Sequence, residues 1–129
     1  MWTWDQSAGT LHHNGVFVSR GYSGKGRGVN NPAMQGVQGV GPIPRGRWKL
    51  VNRYDSKNVG PFTITLHAAD ATPNDTHDAT GRGAFRIHGD SIRAPGTASK
   101  GCIILPRAIR ERMWRSGDHD LEVVEYGLD

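Results

Sequence analysis

Alternation of apolar and polar residues along the chain predicts a series of short β-strands. Near the start, Trp2 and Trp4 alternate with polar residues. The Asn14-Gly15 pair that follows is a strong two-residue hairpin signal and leads into the alternating sequence GVFVSR. The first twenty residues are therefore expected to form strands joined by a tight turn.

Four later segments carry the same alternation and are predicted to be strands. They are RWKLVNRY (47–54), PFTITLH (61–67), AFRIHGD (84–90) and DLEVVEY (120–126). The apolar run IIL after Cys102 is read as a short buried strand or turn. In AFRIHGD, Phe85 and Ile87 take one face, so Arg86 and His88 lie on the opposite, polar face.

One helix is predicted, in PRAIRERMWR (106–115). Pro106 suits a first helical turn, and Ile109 and Met113 lie four positions apart on one face. Gly117 is expected to end the helix. Between the early and middle strands, Arg20–Gly46 is a long glycine-rich segment without strand or helix periodicity. Such loops in compact domains are usually functional or mobile.

Length and composition favour one mostly-β domain spanning residues 1–129. Apolar residues make up 36 % of the 129 positions and charged residues 22 %, which is enough for a core and argues against disorder. The 18 glycines and 7 prolines favour a loop-rich β architecture, a small sheet or barrel-like sandwich with a single helix.

Charge and targeting signals narrow the function only a little. The formal charge of +4 favours an anionic partner weakly, and no Lys/Arg run with interleaved aromatic residues points to nucleic acid. GYSGKGRG is not a phosphate-binding loop, because Gly26 follows Gly24-Lys25 where a hydroxyl residue is required. No membrane span is expected, and MWTWDQSAGT lacks a signal-peptide pattern, so synthesis in the cytoplasm is predicted.

The stretch HGDSIRAPGTASKGCI (88–103) holds the candidate chemistry. Its single cysteine, Cys102, cannot form an internal disulfide, and a free cysteine is most often a small buried hydrophobe. Gly101 and Lys100 beside it, and His88 at a strand end, favour a nucleophile with an imidazole base. In this interpretation nearby positive charge raises the thiolate fraction, and backbone amides near Gly101 and Cys102 hold the oxyanion.

Two alternatives remain open from the residues alone. A zinc-dependent peptidase could draw ligands from His67, His77 and His88, although their spacing matches no familiar zinc motif. A non-catalytic cell-wall-binding module would need no reactive thiol at all. Asp90 is near His88 in sequence, but nothing shows that it points toward the imidazole.

The sequence FRIHGD…ASKGCIIL resembles the active-site signature of the L,D-transpeptidase (YkuD-like) catalytic domain. Upstream, GYSGKGRGVNNP, GPIPRGRW and GRGAFRIHGD are similar to a subgroup found as type VI secretion effectors that act on peptidoglycan. The resemblance spans roughly Gly21 to Leu105. It implies a small L,D-transpeptidase-like β-sandwich or barrel with one short helix after the nucleophile segment.

Carried to this chain residue by residue, the resemblance implies three catalytic groups. Cys102 would be the nucleophile and His88 the base, with the Gly89 carbonyl orienting the imidazole. Further positions would shape the oxyanion pocket or the substrate groove: Ser99 and Gly101 for the first, and Tyr22, Ser23 and Asn30 for the second.

The chain departs from the family pattern at two positions beside the cysteine. Lys100 stands where many members have histidine, and Ile104 stands where many have arginine. The second change removes a possible contact with a substrate carboxylate. Arg86 or Arg93 could replace that contact.

The implied reaction is attack on the carbonyl of the third stem residue with release of the terminal D-alanine. Water would then complete an L,D-carboxypeptidase cycle, or an amine would complete an exchange or transpeptidation. No metal or organic cofactor is implied. The expected partners are peptidoglycan tetrapeptide stems, a cognate immunity protein and a component of the secretion machinery, with action in the periplasm of target bacteria.

Overall fold

The structure, a computed structural model, describes residues 1–126. This part of the chain forms nine strands and one helix, and the mostly-β fold class with a single helix is thereby confirmed. The strands are β1 (Trp2–Asp5), β2 (Thr10–His13), β3 (Val16–Arg20), β4 (Tyr22–Ser23), β5 (Gly46–Ser56), β6 (Gly60–Ala68), β7 (Arg86–His88), β8 (Ile103–Ile104) and β9 (Asp120–Val124). The helix, α1, spans Arg107–Arg115 and follows the cysteine as predicted.

The predicted hairpin at Asn14-Gly15 joins β2 to β3. Asn14 has φ 50° and Gly15 has φ 84°, the left-handed conformation that a type I′ turn requires at both central positions. Other boundaries differ from those expected. The last strand ends at Val124 rather than Tyr126, and residues 127–129 of the predicted single domain lie outside the described part of the chain.

The glycine-rich segment is more structured than its sequence indicates. It contains β4 and two single-turn 3-10 helices, Gly26–Gly28 and Pro32–Met34. The Asn31 side chain accepts a hydrogen bond from the Ala33 amide and caps the second of these turns. Short local turns of this kind leave no repeating apolar pattern, so periodicity cannot detect them.

All nine strands within residues 1–126 form one sheet, in the order β3-β2-β1-β9-β5-β6-β7-β8-β4. The strands at its two ends, β3 and β4, are consecutive in the chain with only Gly21 between them. This single open sheet is therefore curled, because one continuous segment supplies the strands at both of its edges. Glycine is needed at the crossing, because a Cβ on Gly21 would lie 2.1 Å from the Ile104 carbonyl oxygen.

The core fills the inside of this curled sheet. The tryptophans that alternate with polar residues at the start of the chain are fully buried there, together with the apolar residues of the central strands. Helix α1 packs against β6 and β7 and contributes Met113 to the core, with Ile109 packed at its border. This packing fixes β7 and β8 in place, and these two strands carry the candidate site.

Candidate active site

Two neighbouring parallel strands bring His88 and Cys102 together. Strand β7 pairs with β8 in the register Ile87–Ile103 and His88–Ile104, so Cys102 directly precedes the residue that pairs with Ile87. Side chains alternate along each strand, so Cys102 and His88 lie on the same face, away from the core side taken by Ile87 and Ile103. Diagonal neighbours of this kind have Cα atoms roughly 7–8 Å apart, within reach of an imidazole ring.

The His88 ring is held by a backbone contact. Its Nδ1 lies 2.8 Å from the Gly89 carbonyl oxygen, which is the contact that the family resemblance implies. A carbonyl can only accept, so Nδ1 carries the proton and Nε2 is left as the basic nitrogen. Within residues 1–126, Nε2 has no hydrogen-bond partner, and the ring lines the same groove as Cys102.

Asp90 does not orient the imidazole. Its Oδ1 accepts hydrogen bonds from the Tyr22 hydroxyl at 2.6 Å and from the Ser91 and Gly96 amides. Tyr22 in turn accepts a hydrogen bond from the Ala98 amide, and burial together with the Asp90 contact raises the pKa of Tyr22 to about 12. Tyr22 and Asp90 therefore fix the loop between His88 and the cysteine.

Cys102 opens into a groove of about 440 Å³. The thiol is half-buried, and its Sγ lies 4.0 Å from the Ala84 carbonyl oxygen. No hydrogen bond joins Sγ to His88 in this part of the chain, although both side chains line the groove. Both side chains are thus open to a ligand in the groove. Hydrogen bonds between catalytic groups are often long or poorly aligned in apo enzymes and tighten when substrate is bound.

Burial keeps both groups neutral in the resting site. Desolvation raises the pKa of the Cys102 thiol, even though the Arg86 backbone and the Arg86 and Arg82 guanidinium groups act in the opposite direction. Desolvation also lowers the pKa of His88, and the Arg110 charge adds to that effect. Nearby cations do favour the thiolate, as expected from the sequence, but burial opposes them and has the larger effect on the pKa of Cys102. The arrangement suits proton transfer during attack rather than a preformed ion pair.

These shifts predict a definite pH dependence. Activity should be lost as pH falls through the His88 pKa, below its ordinary value of about 6.5, because the base must be neutral. Alkylation of Cys102 by iodoacetamide should still be increasing above about pH 8.5, the ordinary thiol value. Stopped-flow alkylation against pH, with N-acetylcysteine as the reference thiol, measures the second effect. A plateau of alkylation below pH 7 would instead show a preformed thiolate.

Ser99 lies beneath the cysteine and organises its loop. The side chain is 1 % exposed, and its hydroxyl donates to the Cys102 carbonyl at 2.6 Å. The same oxygen accepts from the amides of Gly101 at 3.0 Å and Gly24 at 2.8 Å. The Gly101 amide is therefore engaged and unavailable to an oxyanion. The Cys102 amide makes no turn or loop hydrogen bond within residues 1–126 and remains the candidate oxyanion donor.

Three residues expected to line the groove lie outside its lining. Ser23 is fully buried, where its hydroxyl donates to the Gly101 carbonyl at 2.7 Å and accepts from the Ile43 amide. Asn30 lies outside the residues that line the groove, and its side chain accepts from the Ser23 amide at 3.1 Å. Ser23 thus contacts the loop that carries Cys102, and Asn30 contacts Ser23, and neither side chain lines the groove. Tyr22 lines an adjoining apolar pocket rather than the Cys102 groove.

The cationic side chains at the groove differ from the two arginines that the sequence suggested for contact with a substrate carboxylate. Arg86 is outside the groove lining, where it forms an ion pair with Asp75 at 3.5 Å and donates to the Tyr54 hydroxyl. Arg93 lines a pocket on the far side of His88. The cationic side chains that line the Cys102 groove are Lys25, Arg82 and Lys100. Sequence analysis found Lys100, which is next to the cysteine in the chain, but missed Lys25 and Arg82. These two come from other loops, and the packing of one loop against another leaves no local sequence pattern.

The histidines considered as zinc ligands do not form a metal-binding cluster with other described residues. Within residues 1–126, no group of three or more His, Cys, Asp and Glu side chains is close enough to bind a metal ion. His77 stacks on Trp48, and its two ring nitrogens lie against the Thr80 hydroxyl and the Arg45 carbonyl. His77 is therefore occupied by structural contacts away from His88.

Solved structures share this fold at low sequence identity. Bd1075 of Bdellovibrio bacteriovorus matches with a TM-score of 0.64 and 15 % identity, covering 98 % of this chain and 48 % of that protein. The L,D-transpeptidase (Yku) of Stackebrandtia nassauensis matches with a TM-score of 0.55 and 14 % identity, covering 97 % of this chain and 55 % of that protein. This chain thus spans about half the length of each.

The fold is that of an L,D-transpeptidase-like domain. At the level of sequence, the Tlde1 domain profile matches residues 18–126, and the chain belongs to the Tlde1 domain family, an L,D-transpeptidase-like effector family. No curated protein gives a significant match to the sequence. Among residues 1–126, no helix has the length and apolar character needed to cross a membrane.

Proposed function

We propose that this domain is a cysteine acyl-transfer enzyme that acts on peptidoglycan stem peptides. The observation that carries the proposal is the shared groove of Cys102 and His88, in which the Gly89 carbonyl fixes the imidazole with Nε2 as its basic nitrogen. Membership of the Tlde1 domain family and the L,D-transpeptidase-like fold support the substrate class.

In the first half-reaction, Cys102 Sγ attacks the carbonyl carbon of the third stem residue, a diamino acid. His88 Nε2 takes the thiol proton as the carbon–sulfur bond forms, and the Cys102 amide donates to the oxyanion. Collapse of the tetrahedral intermediate breaks the amide bond, and His88 returns the proton to the departing D-alanine amine. The product is a thioester between the tripeptide stem and Cys102.

In the second half-reaction, a nucleophile enters the groove and attacks the thioester. His88 takes a proton from water or from an incoming amine and then delivers it to the sulfur. Water gives L,D-carboxypeptidase activity, whereas a D-amino acid or a neighbouring stem amine gives exchange or cross-linking. The cations Lys25 and Lys100 at the groove suit donor peptides that carry several carboxylates.

The biological setting is proposed from the family. The domain would be delivered by a type VI secretion system and act in the periplasm of a target bacterium. A cognate immunity protein in the producing cell would then protect its own wall. Occlusion of the Cys102 groove is the simplest way for such a protein to act.

The proposal predicts that the purified protein converts disaccharide-tetrapeptide to disaccharide-tripeptide. Mass spectrometry should detect loss of one alanine residue, and added D-methionine should compete by appearing in place of alanine. The activity should survive a chelator, because Cys102 and His88 supply the chemistry. Loss of trimming with chelator, or binding to isolated sacculi without any turnover, would contradict the proposal and favour a metal peptidase or a binding module.

A further inference from the structure

Arg82 is a buried arginine bound entirely by backbone carbonyl groups. It is 4 % exposed and forms no ion pair with a carboxylate within residues 1–126. Its Nη1 donates to the carbonyls of Gln35 at 2.6 Å and Pro42 at 2.8 Å. Its Nη2 donates to the carbonyls of Gly41 at 3.0 Å and Lys100 at 3.2 Å.

These four contacts join two segments that are far apart in sequence. Three carbonyls belong to the end of the glycine-rich segment, and the fourth belongs to Lys100, two residues before the cysteine. The guanidinium also lies over the Phe85 ring, 5.0 Å from its centroid. Burying an unpaired charge is costly, so four carbonyl contacts at one point indicate a junction that the fold needs.

The nucleophile loop rests directly on this guanidinium. Gly101 has φ 140°, and a Cβ at this position would lie 2.6 Å from Arg82 Nη2. Gly101 therefore lets the backbone approach the charge closely, and Cys102 follows in the groove wall. The groove lining also includes Gln38 and Gly39, which lie inside the loop that Arg82 holds.

We propose that Arg82 is a positioning residue for Cys102, clamping the nucleophile loop to residues 35–42 and thereby setting the width of the substrate groove. The inference rests on the proposed function, in which Cys102 attacks a stem peptide held in that groove. Four hydrogen bonds from one planar guanidinium fix both the separation and the relative orientation of the two segments. The ammonium group of a lysine could not do this.

Arg82 also contributes charge beside the thiol. The other titratable or charged groups facing Cys102 are Lys25 from the glycine-rich segment, Arg86 and His88 from β7, and Lys100 from its own loop. Removing the Arg82 charge should therefore make the thiolate harder to form. A purely structural role would leave the titration of Cys102 unchanged.

Arg110 provides a matched control. It is also 4 % exposed, and it donates only to the carbonyls of Phe62, Pro61 and Leu105. None of these carbonyls belongs to the nucleophile loop or to the glycine-rich segment. Substitution of Arg110 should therefore remove a comparable set of contacts without releasing the Cys102 loop. Because the Arg110 charge also lowers the pKa of His88, this control is compared by melting temperature and by Cys102 alkylation, not by kcat.

The test compares Arg82→Met, Arg82→Lys and Arg110→Met with the wild-type protein. Arg82→Met should lower kcat for tetrapeptide trimming by roughly 100-fold, the cost of a misplacement of about 1 Å. It should also shift the alkylation profile of Cys102 to higher pH and speed hydrogen exchange at residues 35–42. Arg82→Lys should restore the alkylation profile but not kcat, because the charge returns without the planar clamp. Arg110→Met should lower the melting temperature but leave the alkylation profile in place.

The inference is overturned if Arg82→Met loses thermal stability as Arg110→Met does but keeps the wild-type kcat and alkylation profile. If Arg82→Met does not fold, wild-type kcat and exchange rates in Arg82→Lys would overturn it equally. If the wild-type protein trims no stem peptide, the proposed function fails. The alkylation and exchange measurements then still decide whether Arg82 positions Cys102.

Discussion

Replacing Cys102 with alanine should abolish the conversion of tetrapeptide to tripeptide, with a loss of roughly 10⁴-fold or more in kcat. The expected loss is this large because no other side chain in the groove can form the thioester. Cys102→Ser should be nearly as inactive, because a hydroxyl next to a neutral imidazole is a much weaker nucleophile than a thiol. Quantitative mass spectrometry of the tripeptide product measures both variants.

Folding is the necessary control for these variants. Cys102 is half-buried and bridges no network, so alanine should cost only about 1 kcal/mol of unfolding free energy. Because the chain has one cysteine, alkylation by iodoacetamide marks this site alone, and labelled protein should lose activity in proportion to labelling. Trimming retained by folded Cys102→Ala would remove the thiol from the mechanism. Undiminished binding of that variant to sacculi would accompany the loss of turnover, because binding does not need the sulfur.

The second large effect is expected at His88. His88→Asn should reduce kcat by roughly 10²–10⁴-fold, the usual contribution of general acid–base catalysis. Asparagine can still donate to the Gly89 carbonyl, which His88 contacts at 2.8 Å, but it has no basic nitrogen in the position of Nε2. The variant therefore separates the base from the structural hydrogen bond.

His88→Ala completes this comparison. It removes the ring and leaves space in the groove wall, so added imidazole should recover part of the trimming activity. The decrease of activity at low pH should also disappear in both variants, since the group responsible is gone. Wild-type turnover in His88→Asn, with its low-pH decrease intact, would show that another group takes the thiol proton.

The sequence carries enough information to predict the central pair. His88 and Cys102 lie at the ends of short apolar segments, and alternation in AFRIHGD already puts the imidazole on the polar face. Alternation of apolar and polar residues also predicts the strands, and the Asn14-Gly15 dipeptide predicts the turn between β2 and β3. These are local signals, because the residues that specify each feature are neighbours in the chain.

The residues that pack beneath the candidate site and hold its loops could not be predicted from local sequence patterns. Ser23 and Asn30 looked like groove residues because they lie in a glycine-rich segment, but β4 pairs with β8 and carries Ser23 beneath Gly101. Arg82 sits in a polar, turn-rich stretch whose sequence gives no sign of burial. The raised pKa of Cys102 was missed for a related reason, since desolvation depends on what the whole fold places around the sulfur.

The position of β9 has a consequence for how the domain folds. This strand lies between β1 and β5, so the last described strand of the chain joins the halves of the sheet. Pairings between residues more than a hundred positions apart, such as Trp2 with Leu121, close large loops and slow the search for the native state. As the chain emerges during synthesis, both His88 and Cys102 appear before the strand that completes the sheet. The groove that holds His88 and Cys102 should therefore be among the last features to become rigid.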